Sequence, residues 1–408
     1  MTSSEASGKR EEAKYVFVDS ALGNLNVIGI HNYGWSLTMI VHVMQFLRSR
    51  CELFYYIRND INDVNKNDYI FSEVYVDGRL SQKERTRRLS LPFPLRILLS
   101  ATRTLLYIVK LKRRFHIVIV GDEFSASLAV LLRALKITKI VIFYSIDYYP
   151  NRFANPLYQI IYRTLENKFI PKCQLVWCIS RRSMKARAKQ MGDAHKCILV
   201  HHGASPLLSR HFQIADRKKL ILYVGTLTWE KGLQLAITGM KHVLTNNPDA
   251  QLLVVGDGPD KQRLQTMTKD LGLSDFVHFY GFVSDKELEE IYSRSKVGIN
   301  LAMTNDPLSY TFYAFPGKIL DYISHGLPVI TTQNELSELV SSSKAGLVIE
   351  ADSKAFARAV SDLLEMDLDS YFLMCQNALK LSEDFDRNRI IYNAIYETLT
   401  LLSKKDEL

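Results

Sequence analysis

What most constrains this chain is an alternation that runs through both halves: short, almost wholly apolar runs separated by longer segments with helical spacing. A strand that is apolar on both faces needs cover on both. Strands joined through helices run parallel, so the pattern predicts parallel sheets with helices on each face. In the first half the expected strands are 15–19, 53–57, 71–76, 117–120, 140–144, 175–179 and 197–201, with helical patterns at 34–47, 124–135 and 181–191. In the second half they are 220–224, 252–255, 277–280, 297–301, 329–332 and 347–349, with helices starting from Gly232, Pro259, Asp285, Gly317, Glu335 and Ser353. Ser284-Asp285-Lys286-Glu287 has the form of a capping box, in which a Ser oxygen and a Glu carboxylate satisfy orphan amides. A last amphipathic helix is expected from about Arg387 to Ser403.

At 408 residues the chain exceeds one ordinary core, so two domains are expected. The predicted division is a disordered start over 1–14, a first domain over 15–205, a linker over 206–218, a second domain over 219–375 and a C-terminal segment over 376–408. Charge divides at nearly the same place. Residues 1–215 hold 32 Lys+Arg against 16 Asp+Glu, a balance of +16; the remaining 20 and 27 give −7, which leaves the net +9. A basic half beside an acidic one suggests that the first half meets an anionic surface.

The first apolar residues follow Lys9, Arg10, Glu11 and Glu12 and run only from Tyr15 to Val18, so no signal peptide is expected. No window of about 20 residues is long and apolar enough for a transmembrane helix. Five cysteines without CxxC spacing predict free thiols in a reducing compartment. The closing Lys405-Asp406-Glu407-Leu408 spells a retrieval signal, but without a secretory leader it reads as the charged tail of a helix.

Phe315-Pro316-Gly317-Lys318-Ile319-Leu320-Asp321 leads through a Pro-Gly turn into a short helix, which Gly326 ends before the apolar strand at 329–332. Lys318 and Asp321 share a helix face. At a helix start beside the carboxyl edge of a parallel sheet, such a pair suits a phosphate and a vicinal diol. An ordinary surface ion pair is the equal alternative. Gly225-Thr226-Leu227-Thr228-Trp229-Glu230-Lys231-Gly232 links a strand to a helix and offers backbone amides and Lys231 to an anion, although it is neither a Walker loop nor GxGxxG. Gly256-Asp257-Gly258-Pro259 is first of all a tight turn. Backbone at Tyr280-Gly281-Phe282-Val283 can read a base edge, with Phe282 as an apolar wall. The loop 302–315, with Tyr310, Phe312, Tyr313 and Phe315, is long for a compact domain.

In the first half, Gly34 and Trp35 open a helix and form a candidate phosphate or acceptor loop. Asp147, at the carboxyl end of a strand, is a candidate general base or sugar ligand, or else a turn residue before Pro150. His201 and His202 point to opposite sides of an extended chain, so no shared metal is expected. From Arg85 to Arg114 stand nine basic residues and no acidic ones, among them Arg96, Arg103, Lys110, Lys112, Arg113 and Arg114. Interleaved with leucines, this run reads as a basic amphipathic helix for an anionic membrane surface. No nucleic-acid module is visible.

Taken together, Gly225…Glu230-Lys231-Gly232, Gly256-Asp257-Gly258-Pro259, Gly281-Phe282-Val283 and the stretch 316–330 resemble the family 4 glycosyltransferases, in order and spacing over about residues 219–365. Asp147…Pro150 and Val176-Trp177-Cys178-Ile179-Ser180 fall where that family places acceptor-domain landmarks. The resemblance implies a GT-B fold: α/β, with two Rossmann-like doubly wound domains facing across a cleft, the donor on the second and the last helix packing back on the first. It implies retaining transfer from a UDP- or GDP-sugar, without a cofactor or an essential metal. Lys231 would contact the diphosphate. Asp321, at the position of the second Glu of the paired-glutamate motif, would hold the ribose hydroxyls. Backbone at Phe282 and Val283 would meet the base. Gly225, Thr226, Gly256, Tyr313, Pro316, Gly317 and Lys318 complete the expected donor site.

Three positions depart from the family. Tyr313 stands for the first Glu, Thr226 for a basic residue, and Ile146 for a His before the acid. Lys318 can replace the charge missing at Thr226, as in the Pro-x-Lys branch, and Asp147 is left as the candidate acid. The expected function is a retaining glycosyltransferase acting on a lipid-linked or polysaccharide acceptor, peripheral on the inner, cytoplasmic face of a bacterial membrane. Asp147, Lys231 and Lys318 are the catalytic candidates. A non-catalytic partner of the same fold and a sugar-nucleotide epimerase are the alternatives. A dinucleotide oxidoreductase would need a GxGxxG that Val18-Asp19-Ser20-Ala21-Leu22-Gly23 does not supply.

Overall fold

The computed structural model describes residues 3–31, 39–59, 69–87, 92–204, 217–303 and 305–404. It divides into two compact α/β units: Met1–His201 with Asn388–Leu408, and His202–Arg387. The expected linker at 206–218 lies almost entirely outside the described residues. The C-terminal boundary differs from the expected 376: helix α13 (Leu368–Glu383) stays with the second unit, and the chain joins the first only from Asn388.

The first unit is built on strands β1 (Asn26–His31), β2 (Leu53–Arg58), β3 (Tyr69–Val76), β4 (Arg79–Arg87), β5 (Phe115–Val120), β6 (Thr138–Ser145), β7 (Leu175–Cys178) and β8 (Cys197–Leu199). Their order is β4-β3-β2-β1-β5-β6-β7-β8. Six of these strands run parallel, but β2-β3-β4 is an antiparallel meander, so the sheet is mixed rather than wholly parallel. The expected strand at 15–19 and the disordered start are both corrected, because helix α1 spans Ser3–Leu22. Val18 and Leu22 are buried while Val16 and Phe17 are exposed, which is helical and not alternate-residue spacing. Tyr15 stacks on Tyr392 at 4.1 Å, and the Tyr392 hydroxyl donates to Asp19 and accepts from Arg50. Tyr392 belongs to helix α14 (Arg387–Ser403), which is also held where the Trp177 indole N–H donates to Thr398 Oγ1 at 2.9 Å.

The basic run from Arg85 is not one helix. Residues 79–87 form β4, and helix α3 begins only at Phe93 and ends at Lys110. Helices α4 (Glu123–Ala134) and α5 (Pro156–Phe169) follow, α3 packing on α4 and α4 on α5.

The second unit is a wholly parallel sheet in the order β11-β10-β9-β12-β13-β14. Its strands are β9 (Leu220–Val224), β10 (Gln251–Val255), β11 (Val277–Gly281), β12 (Val297–Asn300), β13 (Val329–Thr332) and β14 (Gly346–Ile349). Helices α7 (Leu233–Asn246), α8 (Lys261–Asp270), α9 (Asp285–Arg294), α10 (Gly317–Ser324), α11 (Ser337–Ser342) and α12 (Ser353–Glu365) intervene. Helix α8 starts two residues beyond Pro259, which lies in the preceding turn. The capping box at Ser284 forms, with the Ser284 amide donating to Glu287 Oε2 at 2.8 Å and the Glu287 amide donating to Ser284 Oγ. Ile221, Tyr223, Leu252, Val254, Ile299 and Ile330 are sealed among the helices that cover this sheet. Among the described residues no helix is long and apolar enough to cross a membrane, and all five cysteines are free thiols.

Candidate functional site

Strand order in the second sheet reverses between β9 and β12, and in such sheets ligands bind at the carboxyl ends on either side of that switch. The loop after β9 and the loop after β12 therefore meet at the favoured place. Each is fastened to the other: the Met303 amide donates to the Glu230 carbonyl at 2.9 Å, and the Tyr322 hydroxyl accepts from the Val224 amide at 2.9 Å. Tyr322 can lie across β12 because residue 298 is glycine; a Cβ there would stand 2.4 Å from the tyrosine ring.

Two further glycines are required by close approach. At Gly232, with φ +75°, a Cβ would fall 1.9 Å from the Leu301 carbonyl oxygen. At Gly256, with φ +127°, it would fall 2.1 Å from the Gly225 carbonyl oxygen. The loops after β9, β10 and β12 are thus packed backbone on backbone, which only glycine permits. Trp229 is fixed by its amide donating to Asp260 Oδ2 at 2.8 Å and by the Arg263 guanidinium 3.5 Å above its ring.

Lys318 enters this place from the first turn of α10. Its Nζ is sealed from solvent, has no hydrogen-bond partner among the described residues, and lies 4.0 Å from the centre of the Tyr223 ring. Burial, and then the charge of Lys231, hold its pKa well below the ordinary lysine range. Lys231 is half-buried, with its Nζ 4.8 Å from the centre of the Tyr310 ring. Asp321 is half-buried one turn beyond Lys318 and interacts electrostatically with Arg387. The far end of α10 is closed by Arg217, which donates to the His325 and Gly326 carbonyls at 2.8 Å each.

The structure therefore brings Gly225, Gly256, Lys231, Lys318 and, on the same helix, Asp321 to one strand-end region. Thr226 is exposed on that loop. Gly317 is packed under the His202 ring, 3.2 Å from where a Cβ would stand. Pro316 directly precedes α10. Phe282, just past β11, is 74% exposed and Val283 is half-buried. Tyr313 is half-buried against the edge of Phe312. Tyr223, Tyr322 and Arg387 were not singled out from the sequence; only the spacing of tyrosines within apolar strands and helices hints at the first two.

In the first unit, Asp147 is exposed just past β6. Behind its loop lies a buried charge cluster: Arg187 donates to Glu166 at 2.6 Å and to Ser145 Oγ at 2.9 Å, and Arg152 pairs with Glu123 at 3.0 Å. Burial raises the Glu123 pKa to about 7 against the pull of Arg187. Gly34 and Trp35 lie outside the described residues. Of the basic candidates, Lys110, Lys112, Arg113 and Arg114 are exposed, whereas Arg96 and Arg103 are half-buried. The exposed face of α3 is instead apolar, with Leu95, Leu98, Leu106 and Val109 each at least half exposed. No group of His, Cys, Asp and Glu suited to a metal is found among the described residues.

Residues 206–383 match the family model of the glycosyl transferases group 1. Over 173 residues, 42% of this chain and 42% of the relative, the sequence is 27% identical to the putative colanic acid biosynthesis glycosyltransferase WcaL of Escherichia coli. Over 200 residues, 46% of this chain and 42% of the relative, it is 26% identical to the alpha-monoglucosyldiacylglycerol synthase of Streptococcus pneumoniae. The matched segment thus spans about two fifths of the length of these curated relatives. The structure of Anabaena HepE in complex with UDP-glucose superposes with a TM-score of 0.65 at 15% identity, over 93% of this chain and 100% of that one, a likeness of fold.

Proposed function

We propose that this chain, whose residues 206–383 match the glycosyl transferases group 1, is a glycosyltransferase of GT-B fold that moves a sugar from a nucleotide-sugar donor to a lipid-linked or polysaccharide acceptor. The observation that carries this is the gathering of two lysines and a carboxylate at the switch point of a parallel sheet, beside loops in which Gly225 and Gly256 bring bare backbone together. A pyrophosphate carries at least two charges that grow as the glycosidic bond breaks, and Lys231 and Lys318 are the cations placed to match them. Asp321 accepts from a ribose diol. Backbone at Phe282 and Val283 takes the base. The UDP-glucose complex of HepE supports a uridine or related nucleotide, and the synthase of Streptococcus pneumoniae supports a lipid acceptor.

Transfer proceeds with retention. The acceptor hydroxyl approaches on the face from which the diphosphate departs, and its proton passes to the leaving oxygen. Asp147 is the acceptor-side carboxylate. The first unit meets an anionic membrane on its cytoplasmic side. Two observations support that contact: the exposed leucine stripe of α3 ends in Lys110, Lys112, Arg113 and Arg114, and three of the four carboxylates between residues 92 and 192 are buried, leaving Asp147 as the exposed one.

Tyr313 at the place of the first carboxylate favours a second reading, a non-catalytic partner of the same fold. The test is incubation of the protein with labelled UDP- and GDP-sugars and anionic vesicles carrying polyprenyl phosphate or diacylglycerol. Labelled lipid whose new linkage keeps the donor's anomeric configuration is expected. An epimerised donor formed without acceptor would replace the reading by an epimerase, and bound but unreacted donor would favour the partner.

A further inference from the structure

We propose that Lys318 is held as a neutral amine in the free protein and becomes an ammonium as a diphosphate docks at the Gly225 loop, so that nucleotide binding takes up a proton. This rests on the reading of that place as the donor diphosphate site and adds how the site is charged.

The geometry leaves a charged Lys318 nothing to hold. An ammonium carries three donors, and burying one unpaired is among the costlier things a fold can do. Its Nζ is sealed and makes no hydrogen bond among the described residues. The Tyr223 ring face, 4.0 Å away, offsets only about 0.5–2 kcal/mol of such a burial. The Tyr223 hydroxyl is already committed, donating to the Thr226 carbonyl at 2.8 Å.

The titratable and charged groups around it come from β9, the loops after β9 and β12, α10 and the start of α14. Tyr223 stands on β9. Lys231 and Tyr310 stand on the two loops. Asp321 and Tyr322 share α10, with Arg387 beside Asp321. Among the described residues no carboxylate forms an ion pair with Lys318, and the charge of Lys231 repels it. Burial and that repulsion both favour the neutral amine.

The way in for an anion is also present. A Cβ on residue 225 would stand 3.1 Å from the Lys318 Nζ, so the position that separates the amine from the loop surface carries no side chain. A diphosphate reaching the Gly225 loop brings negative charge toward both lysines at once. That charge offsets the burial and the repulsion by Lys231, and the amine takes one proton from solvent and donates it in a hydrogen bond to a phosphate oxygen. No covalent bond forms or breaks. The linked consequence is that nucleotide affinity falls as pH rises, by at most about tenfold per pH unit for one proton.

The experiment is isothermal titration of UDP, GDP and inorganic pyrophosphate into the full chain at pH 8, in Tris and in HEPES, whose ionisation enthalpies differ. Wild type is expected to take up about one proton per ligand bound. Lys318→Arg, which cannot lose its charge, is expected to bind with no uptake, and Lys318→Met to bind at least tenfold more weakly, also with no uptake. Nucleotide binding in which wild type takes up no more protons than the variants overturns the proposal and leaves the donor site standing. Uptake with pyrophosphate but no binding of either nucleotide supports the proposal and removes the nucleotide reading. Failure of all three ligands to bind overturns both.

Discussion

Lys318→Met should make the ligand-free protein more stable and the nucleotide complex weaker. Methionine matches the lysine stem in length and suits the Tyr223 face. It removes a buried nitrogen that has no hydrogen-bond partner among the described residues. Replacing an unsatisfied buried polar group by an apolar one recovers about 1–3 kcal/mol. For a unit the size of His202–Arg387, about 1 kcal/mol moves Tm by about 2–4 °C, so the transition of the second unit should rise by roughly 2–12 °C. The same substitution removes a charge-assisted hydrogen bond worth about 1.5–3 kcal/mol, and UDP affinity should fall by about tenfold to a hundredfold. Differential scanning calorimetry with and without UDP reads both effects on one sample. A ligand-free variant that melts below wild type would mean that Lys318 is satisfied in the resting protein, and the reasoning about this site would be wrong.

Gly232→Ala must place a Cβ 1.9 Å from the Leu301 carbonyl at φ +75°, so urea unfolding of the second unit should shift by more than about 2 kcal/mol; a change within about 0.5 kcal/mol would mean that the two loops part easily. His31 is buried, and burial first, then Arg58, lowers its pKa from 6.5 to about 4. Between those values the unfolded chain binds the proton and the folded one does not, so stability falls as pH drops from 6.5 to 4, by up to about 3 kcal/mol. His31→Gln should flatten that slope in urea titrations across the window, and equal slopes would contradict the assignment. The pair Leu98→Glu and Leu106→Glu changes side chains 64% and 62% exposed on α3; it should lower partitioning onto anionic vesicles by about tenfold or more while leaving UDP affinity unchanged, and unchanged partitioning would move the membrane contact elsewhere.

The second unit was legible in the sequence because each of its strands is apolar on both faces and is punctuated by glycine or proline. Its six strands stand within a residue or two of where their apolar runs fall. The first unit was less so, for two physical reasons. Tyr15-Val16-Phe17-Val18 is as apolar as a strand, yet Val18 and Leu22 are buried one helical turn apart while Val16 and Phe17 are exposed. Strand β4 reads Arg-Leu-Ser-Gln-Lys-Glu-Arg-Thr-Arg and is held at the sheet edge by backbone pairing with β3, which no hydrophobic pattern records. Within the site, the loops and their lysines could be named from spacing. That Lys318 lies over Tyr223, or that Tyr322 ties α10 to β9, depends on side chains from different strands meeting, and single-chain periodicity carries no trace of it.

The measurement that tests the account most directly is a thermal-shift panel of UDP- and GDP-sugars on wild type, Lys231→Ala and Asp321→Ala. A ligand of the folded state raises the melting temperature by mass action. The account predicts a shift with one nucleotide sugar, lost in both variants. A well-folded wild type that shifts with none of them would contradict it.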